Sequence, residues 1–372
     1  MKHGRRRFGL ILALCAALLA LYLAFWPVPI RPVAWQAPLP PPTEQYPQNG
    51  RLRDLERLAD GVGVGPEGLA IDTQGRLYAG YEDGRVMRFD LNGEHGEVLA
   101  DTGGRPLGIS VGAKGVFVAD AMRGLLQIED GGAVKVLSTG ADGVPFRFVD
   151  DVDQSAADPY VYFSDASARF GYRQAMADVL EHGDSGRLLR YDLQTGETRT
   201  LLRGLHFANG VAVGPRGEYV LVSEMAAYRV LRYWIKGERA GQHEVFVDNL
   251  PGFPDNLSID HDHGCVWLAL YAPRLPQLDA MAAHPGLRTL LYRVPTFLWP
   301  KLRPRSWALS FDFNGRLLQN LQYEAPPEQI HVHPAYGPVT SVVHYGGTLY
   351  FGSVADTAIG RLAMPTAAPH AP

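Results

Sequence analysis

Cysteine is scarce in this 372-residue chain, which has two. Cys15 lies in an apolar run and Cys265 in an expected strand, so no disulfide framework supports the fold and a hydrophobic core must hold it. Positive charge is thin as well: beyond Lys2, Arg5, Arg6 and Arg7 there is no basic tract, and the net charge is −4. That excludes the electrostatic grip on phosphates that nucleic-acid binding requires. No low-complexity stretch dominates, and the length implies one large domain or two ordinary ones.

The N-terminal region departs from this even texture. Residues 8–26 (FGLILALCAALLALYLAFW) carry no charge and are long enough to cross a bilayer as a helix. The arginines before them favour the cytoplasmic side, so residues 1–26 read as an uncleaved signal-anchor, a transmembrane helix that leaves the body on the non-cytoplasmic side. A cleaved signal peptide is the competing reading; the length of the run and the lack of an A-x-A site speak against it. Leu14, where a small residue would precede a lipidated cysteine, speaks against lipidation of Cys15. Residues 27–49 are rich in proline and lack periodicity, as expected of an extended spacer that lifts a domain off the membrane. The folded body is expected over 50–365, followed by a disordered tail at 366–372.

Within the body a short apolar strand recurs: LYAG at 77, VFVAD at 116, VYFSD at 161, VLVSE at 220, VWLAL at 266 and LYFGS at 349. Each copy is followed by another strand (GRVMRFD at 84, GLLQIED at 124, GRLLRYD at 186, YRVLRYW at 228, TLLYRV at 289, GRLAM at 360) and preceded by a third. Several short strands per unit, punctuated by Gly, Pro and Asp, predict an all-β fold, a six-bladed β-propeller. Two units are interrupted by long insertions, 166–185 and 271–288, each with a helix-compatible stretch. They read either as surface decoration or as a lid over one end of the channel.

Aligning the first strand of each unit places Glu67, Leu107, Asp150, Asn209, Asp255 and Thr340 at one equivalent position, followed by Gly68, Gly108, Asp151, Gly210, Asn256 and Ser341. In a propeller this strand lines the central channel, so such positions converge on the axis. Glu67, Asp150 and Asp255 are carboxylates that repel one another and raise each other's pKa unless a cation lies between them. Oxygen donors without Cys or His suit a hard cation, and Ca²⁺ tolerates the irregular geometry of separate blades better than Mg²⁺; another divalent cation is the alternative. Taken singly, an Asp or Asn here also reads as an Asx-turn cap, but Glu67 is a poor former of such turns.

The segments PEGLAID, GRPLGI, FVDDV followed by YFSDAS, FANG and GFPDNL, in this order behind an N-terminal anchor, resemble the strictosidine synthase-like family. The paraoxonases and the gluconolactonase/regucalcin group are more distant six-bladed relatives. The resemblance extends from about residue 50 onward. It implies that a channel Ca²⁺ is held by Glu67, Asn209 and Asp255, with Asn256 as a further ligand, while Asp150 stands where the family pattern has Asn. Leu107 occupies the place of the paraoxonase His, and Thr340 that of the late Glu of plant strictosidine synthases. Neither a His-dependent mechanism nor a Pictet-Spengler synthase is therefore supported.

The expected function is a calcium-dependent hydrolase of esters or lactones, arylesterase- or lactonase-like, acting on a small hydrophobic substrate. Asp255 is the expected catalytic base as well as a metal ligand, with Asp150 second in line. Asp151 reads as a strand or turn residue facing a neighbouring blade, with a supporting position behind the metal ligands as the alternative. His206, His331 and His333 are candidates to stand in for the missing His, and Phe146, Phe148, Phe170, Tyr172, Phe207, Phe253 and Tyr271 flank the ring or the insertions. The alternative is a non-catalytic binding or scaffold propeller in which calcium ties the blades together.

Overall fold

The computed structural model describes residues 2–299, 305–332 and 334–364. The expected tail at 366–372 and His333 lie outside the described residues. Six four-stranded antiparallel sheets surround a channel. Their innermost strands are β1 (Leu69–Ile71), β2 (Pro106–Gly112), β3 (Val149–Gln154), β4 (Ala208–Val213), β5 (Gly252–Asp260) and β6 (Ser341–Tyr345), each packed against the next, with β6 returning to β1.

The recurring apolar runs are the second strands of these blades. Phe117, Val118 and Ala119, or Val220, Leu221 and Val222, are buried without alternation, because both faces of a blade pack on neighbouring blades. At the rim the pattern loosens: in the outer strand Thr198–Leu205 only Leu205 is buried. Aspartates close the hairpins. Asp72 Oδ1 accepts the backbone N–H groups of Gln74 and Arg76 at 2.9 and 3.0 Å, and Asp312 Oδ1 does the same for Asn314 and Arg316, the local bonding that favours Asp at turns.

Two features depart from the sequence reading. TLLYRV, expected as a strand, belongs to a helix over Pro285–Arg293, and the third strand of that blade is Arg305–Asp312. Pro285 at the first helical turn starts the helix, and Leu287, Leu290 and Leu291 follow a helical spacing, whereas RSWALSFD pairs in register with Cys265–Ala269. Second, each blade has a fourth strand, and that of the last blade comes from the other end of the chain. Glu56–Leu58 pairs antiparallel with Ile359–Ala363, Glu56 opposite Arg361 and Leu58 opposite Ile359. The ring is thereby closed by hydrogen bonds between its first and last segments.

The helices are α1 (Lys2–Phe25), α2 (Ala175–Glu181) and α3 (Pro276–Ala280), and α4 is the Pro285–Arg293 segment. Residues Arg7–Phe25 of α1 are long and apolar enough to cross a membrane and bury no surface in the protein, which makes α1 a candidate membrane anchor. The insertions 166–185 and 271–288 carry α2, α3 and the start of α4; α2 lines the pocket at one end of the channel, and α4 packs against α2. Residues 27–49 are extended but not free. Val33 N–H donates to Glu181 O at 2.9 Å, Trp35 N–H to Ala282 O at 3.2 Å, and Arg274 Nη1 to Pro38 O at 2.9 Å. The segment is a strap threaded between the two insertions. Buried Arg288 fastens it, donating to the carbonyls of Leu180, Ala282 and Val33. Trp35 stacks on His182 at 3.9 Å, and His182 on His206 at 4.3 Å.

Candidate metal centre and active site

At the insertion end of the channel, Glu67, Leu107, Asp150, Asn209, Asp255 and Thr340 together line a pocket of about 400 Å³. All six are buried. What brings four of them to the axis is a bulge repeated at the same place in their blades. Between Pro106 and Ile109, Val149 and Val152, Ala208 and Val211, and Pro254 and Leu257, the inner strand carries one residue more than its partner. A bulge re-aims side chains and strengthens the local twist; here it turns Leu107, Asp150, Asn209 and Asp255 into the channel.

The residue after each of these positions serves the contact between blades. A Cβ on Gly68 would lie 2.2 Å from Leu107 O, and one on Gly210 2.5 Å from Asp255 O, so glycine permits the close approach of adjacent inner strands. Where the residue is Asp151, its carboxylate accepts from Val211 N–H at 2.7 Å and Val152 N–H at 2.8 Å, joining two blades as the sequence reading held. The first and last blades meet at Glu67, whose carbonyl accepts the hydroxyls of Thr340 at 3.2 Å and Ser341 at 2.7 Å.

The ring is short of donors. Asn256 Nδ2 donates to Glu67 Oε1 at 2.8 Å and Asn209 Nδ2 to Asp150 Oδ2 at 3.4 Å. Glu67 Oε2, Asn209 Oδ1 and Asn256 Oδ1 are buried with no hydrogen-bond partner. The two amide oxygens only accept, as does the Glu67 oxygen once ionised, and a buried acceptor left unpaired costs about 1–3 kcal/mol. Burial pushes the Glu67 carboxyl up to about 7 against the opposing pull of Arg105 and Asn256. Burial and the negative charge of Glu67 push Asp150 and Asp255 well above the usual carboxylate range. A divalent cation fits this donor set: hard oxygens, unpartnered acceptors and a negative field. With the guanidinium of buried Arg105, which acts on Glu67 and Asp150, such a cation matches the charge of the three carboxylates.

The pocket wall above the ring is apolar. Phe148, Tyr172, Phe207 and Tyr271, which the sequence puts beside the ring or the insertions, are there, joined by Ala175, Met176, Val179, Met225 and Val354. Phe146 packs instead edge-on against Phe163, Phe253 against Tyr228, and Phe170 in a small cluster with α2. Among the described residues no His lines the pocket. His206 is held in the stack with His182 and by Gly183 O at 2.9 Å, and His331 is exposed in a turn. The sequence does not mark Arg105 or the α2 residues as site residues: RPLGISV reads as an inner strand, and nothing in the sequence says how the insertion folds back.

A second acidic group, Asp260 with His263 and His344, brings potential metal-binding atoms within 4.8 Å. Asp260 and His344 are already engaged in hydrogen bonds within the protein. His344 Nε2 accepts Gly347 N–H at 3.1 Å, so the proton is on Nδ1, 3.2 Å from Asp260 Oδ1. Asp260 also accepts from the backbone of Asp262 and His263 and from Trp267 Nε1. It is a strand-end cap of the kind Asp72 makes in the first blade.

A six-bladed propeller with an oxygen-donor ring under an apolar pocket is a class shared by several enzymes and binding proteins, and comparison with known proteins narrows it. Residues 150–238 match the family model for strictosidine synthase, and residues 45–89 the strictosidine synthase-like N-terminal model. Protein STRICTOSIDINE SYNTHASE-LIKE 4 of Arabidopsis thaliana is 36% identical over 316 residues, covering 82% of this chain and 81% of that protein. Adipocyte plasma membrane-associated protein of Bos taurus is 33% identical over 342 residues, covering 85% and 80%. The chain belongs to the strictosidine synthase-like family. Among solved structures, a gluconolactonase from Xanthomonas campestris superposes with a TM-score of 0.58 at 16% identity, covering 91% of this chain and 99% of that one. A calcium-binding regucalcin from Agrobacterium tumefaciens gives 0.55 at 15% identity, covering 85% and 94%. These two likenesses concern the fold.

Proposed function

We propose that this chain is a divalent-cation-dependent hydrolase of carboxylic esters or lactones, with calcium as the cation and its reaction centre at the channel ring. The observation that carries the reading is the convergence of three unpartnered buried acceptor oxygens, from Glu67, Asn209 and Asn256, at the floor of an apolar pocket. The solved gluconolactonase and regucalcin share the fold, and Thr340 in place of an acid leaves the synthase reading without support.

Glu67, Asn209, Asp255 and Asn256 would hold the cation, with Asp150 as a further carboxylate. When bound, it supplies Lewis-acid polarisation of the substrate carbonyl and stabilises the developing oxyanion. Phe148, Tyr172, Phe207 and Tyr271 bind the hydrophobic part of the substrate and exclude bulk water. Asp255 accepts a proton from the attacking water as its oxygen bonds to the carbonyl carbon. The same proton passes to the leaving alkoxide when the ester C–O bond breaks, so Asp255 ends ionised as it began.

The test uses the full chain in detergent, stripped with chelator and titrated with Ca²⁺, on phenyl acetate and a set of aliphatic lactones beside Asp255→Ala. The expected result is hydrolysis restored by Ca²⁺ in the parent and lost at least 100-fold in the variant, the scale of a removed general base (~10²–10⁴). No turnover by the parent, with Ca²⁺ still raising its melting temperature, would assign the ring to a scaffold propeller instead.

A further inference from the structure

The pocket and the candidate anchor are joined by a short chain of contacts. Arg293, at the end of α4, donates from Nε to Trp26 O at 2.7 Å and from Nη1 to Leu23 O at 2.7 Å and Ala24 O at 3.0 Å. Tyr22 Oη donates back to Arg293 O at 3.0 Å. The last turn of α1 is therefore capped by the end of α4, in the way a basic side chain satisfies the free carbonyls of a helix end. Tyr22 and Trp26 are the aromatic residues expected where a spanning helix leaves hydrocarbon. Wherever α1 leaves the bilayer, α4 stands beside it.

From that point an apolar surface runs outward. Leu287 and Leu290 on α4 are 46% and 38% exposed, and Phe297 and Leu298 in the following turn are 74% and 62% exposed. The turn is held by Trp299 Nε1 donating to Val294 O at 2.7 Å, so the display of Phe297 and Leu298 is fixed. Single exposed apolar residues need no explanation, but a set of large ones rising from the helix that caps an anchor does. On its other side α4 packs against α2, and α2 supplies Ala175, Met176 and Val179 to the pocket wall, Met176 being 46% exposed.

We infer that α4 and the 296–299 turn are a second membrane contact, seated in the bilayer interface beside α1, and that the pocket mouth opens at the lipid surface. The occupant of the patch is lipid, because the chain's own candidate spanning helix ends on it. Resting on the hydrolase reading, the substrate class is an amphiphilic ester or lactone with an alkyl chain long enough to partition into the bilayer, entering past α2 without crossing bulk water. An interfacial helix of this kind binds through buried apolar area, and here α1 supplies the attachment while α4 sets the orientation.

The test is a depth measurement that needs no turnover. Full-length Cys15→Ser protein, whose remaining Cys265 is buried, is reconstituted in phosphatidylcholine vesicles with a spin label at Leu290→Cys, Phe297→Cys, Leu14→Cys in α1, or Thr73→Cys. Thr73 lies exposed in the turn after β1, at the opposite end of the channel. The expected result is high accessibility to oxygen and low accessibility to a water-soluble relaxant at 290, 297 and 14, with the reverse at 73. Labels at 290 and 297 as aqueous as at 73 overturn the inference, as do labels shielded from both relaxants, which would place a second copy on the patch. As a second reading, Phe297→Asp with Leu298→Asp should lose hydrolysis of a long-chain aryl ester carried in vesicles and keep that of soluble phenyl acetate. Equal loss on both overturns the substrate class; absence of both activities in the parent overturns the hydrolase reading and leaves the depth result to decide the seating.

Discussion

Residue by residue, the site depends on a pair of adjacent positions in each inner strand: one side chain for the channel, and one position that lets the next blade come close. In β4 the pair is Asn209 and Gly210. A methyl at 210 would meet Asp255 O at 2.5 Å and Asn256 Cα at 2.6 Å, backbone atoms of two of the proposed cation ligands. Gly210→Ala is expected to cost about 1–3 kcal/mol by overpacking and to weaken calcium binding because Asp255 and Asn256 move. Denaturant titration with and without Ca²⁺ measures both effects. The polar ring was legible because its register is a property of the repeat. The bulge that aims it was not, since an extra residue in one strand is defined only by its partner strand, and the burial of Arg105 depends on three segments meeting.

At the level of elements, the insertions, the strap and α1 form one assembly. Arg288 reaches four carbonyls, those of Val33, Leu180, Glu181 and Ala282, and its loss leaves buried acceptors unpaired. Arg288→Ala is expected to destabilise the assembly by at least about 2 kcal/mol and to make residues 27–49 sensitive to limited proteolysis, which peptide mapping would locate. Helices in the insertions were foreseeable, yet TLLYRV was read as a strand. Its apolar residues suit either period, and the decision came from Pro285 and from the later RSWALSFD segment, which pairs with Cys265–Ala269. The proline-rich strap looked like a spacer because its anchoring is done by residues far away in sequence.

For the whole molecule, the buried carboxylates make stability depend on pH in a way the cation should reverse. With its carboxyl raised to about 7, Glu67 keeps its proton in the folded state where the unfolded chain has released it. Its contribution is complete below about pH 4.5 and lost as pH rises through about 7; Asp150 and Asp255 act in the same direction. Buried His182, pushed down to about 3 by burial and by His206, works oppositely, its contribution being present above about pH 6.5 and lost as pH falls. His182 does not distinguish calcium-loaded from stripped protein, whereas the ring does. The rise in melting temperature on adding Ca²⁺ is therefore expected to be small at pH 5 and roughly 5 °C at pH 8, several kcal/mol at this size. Scanning calorimetry at the two pH values checks it; an increment independent of pH would show that these carboxylates do not hold the ion.

The pairing of Glu56–Leu58 with Ile359–Ala363 also fixes an order of events during synthesis. The N-terminal strand waits until some three hundred later residues have been made. Glu67 on the first blade and Asp255 on the fifth come together only when that wait ends. A growing chain therefore has blades but no complete ion site, and calcium entering the ring would report that the circle has closed.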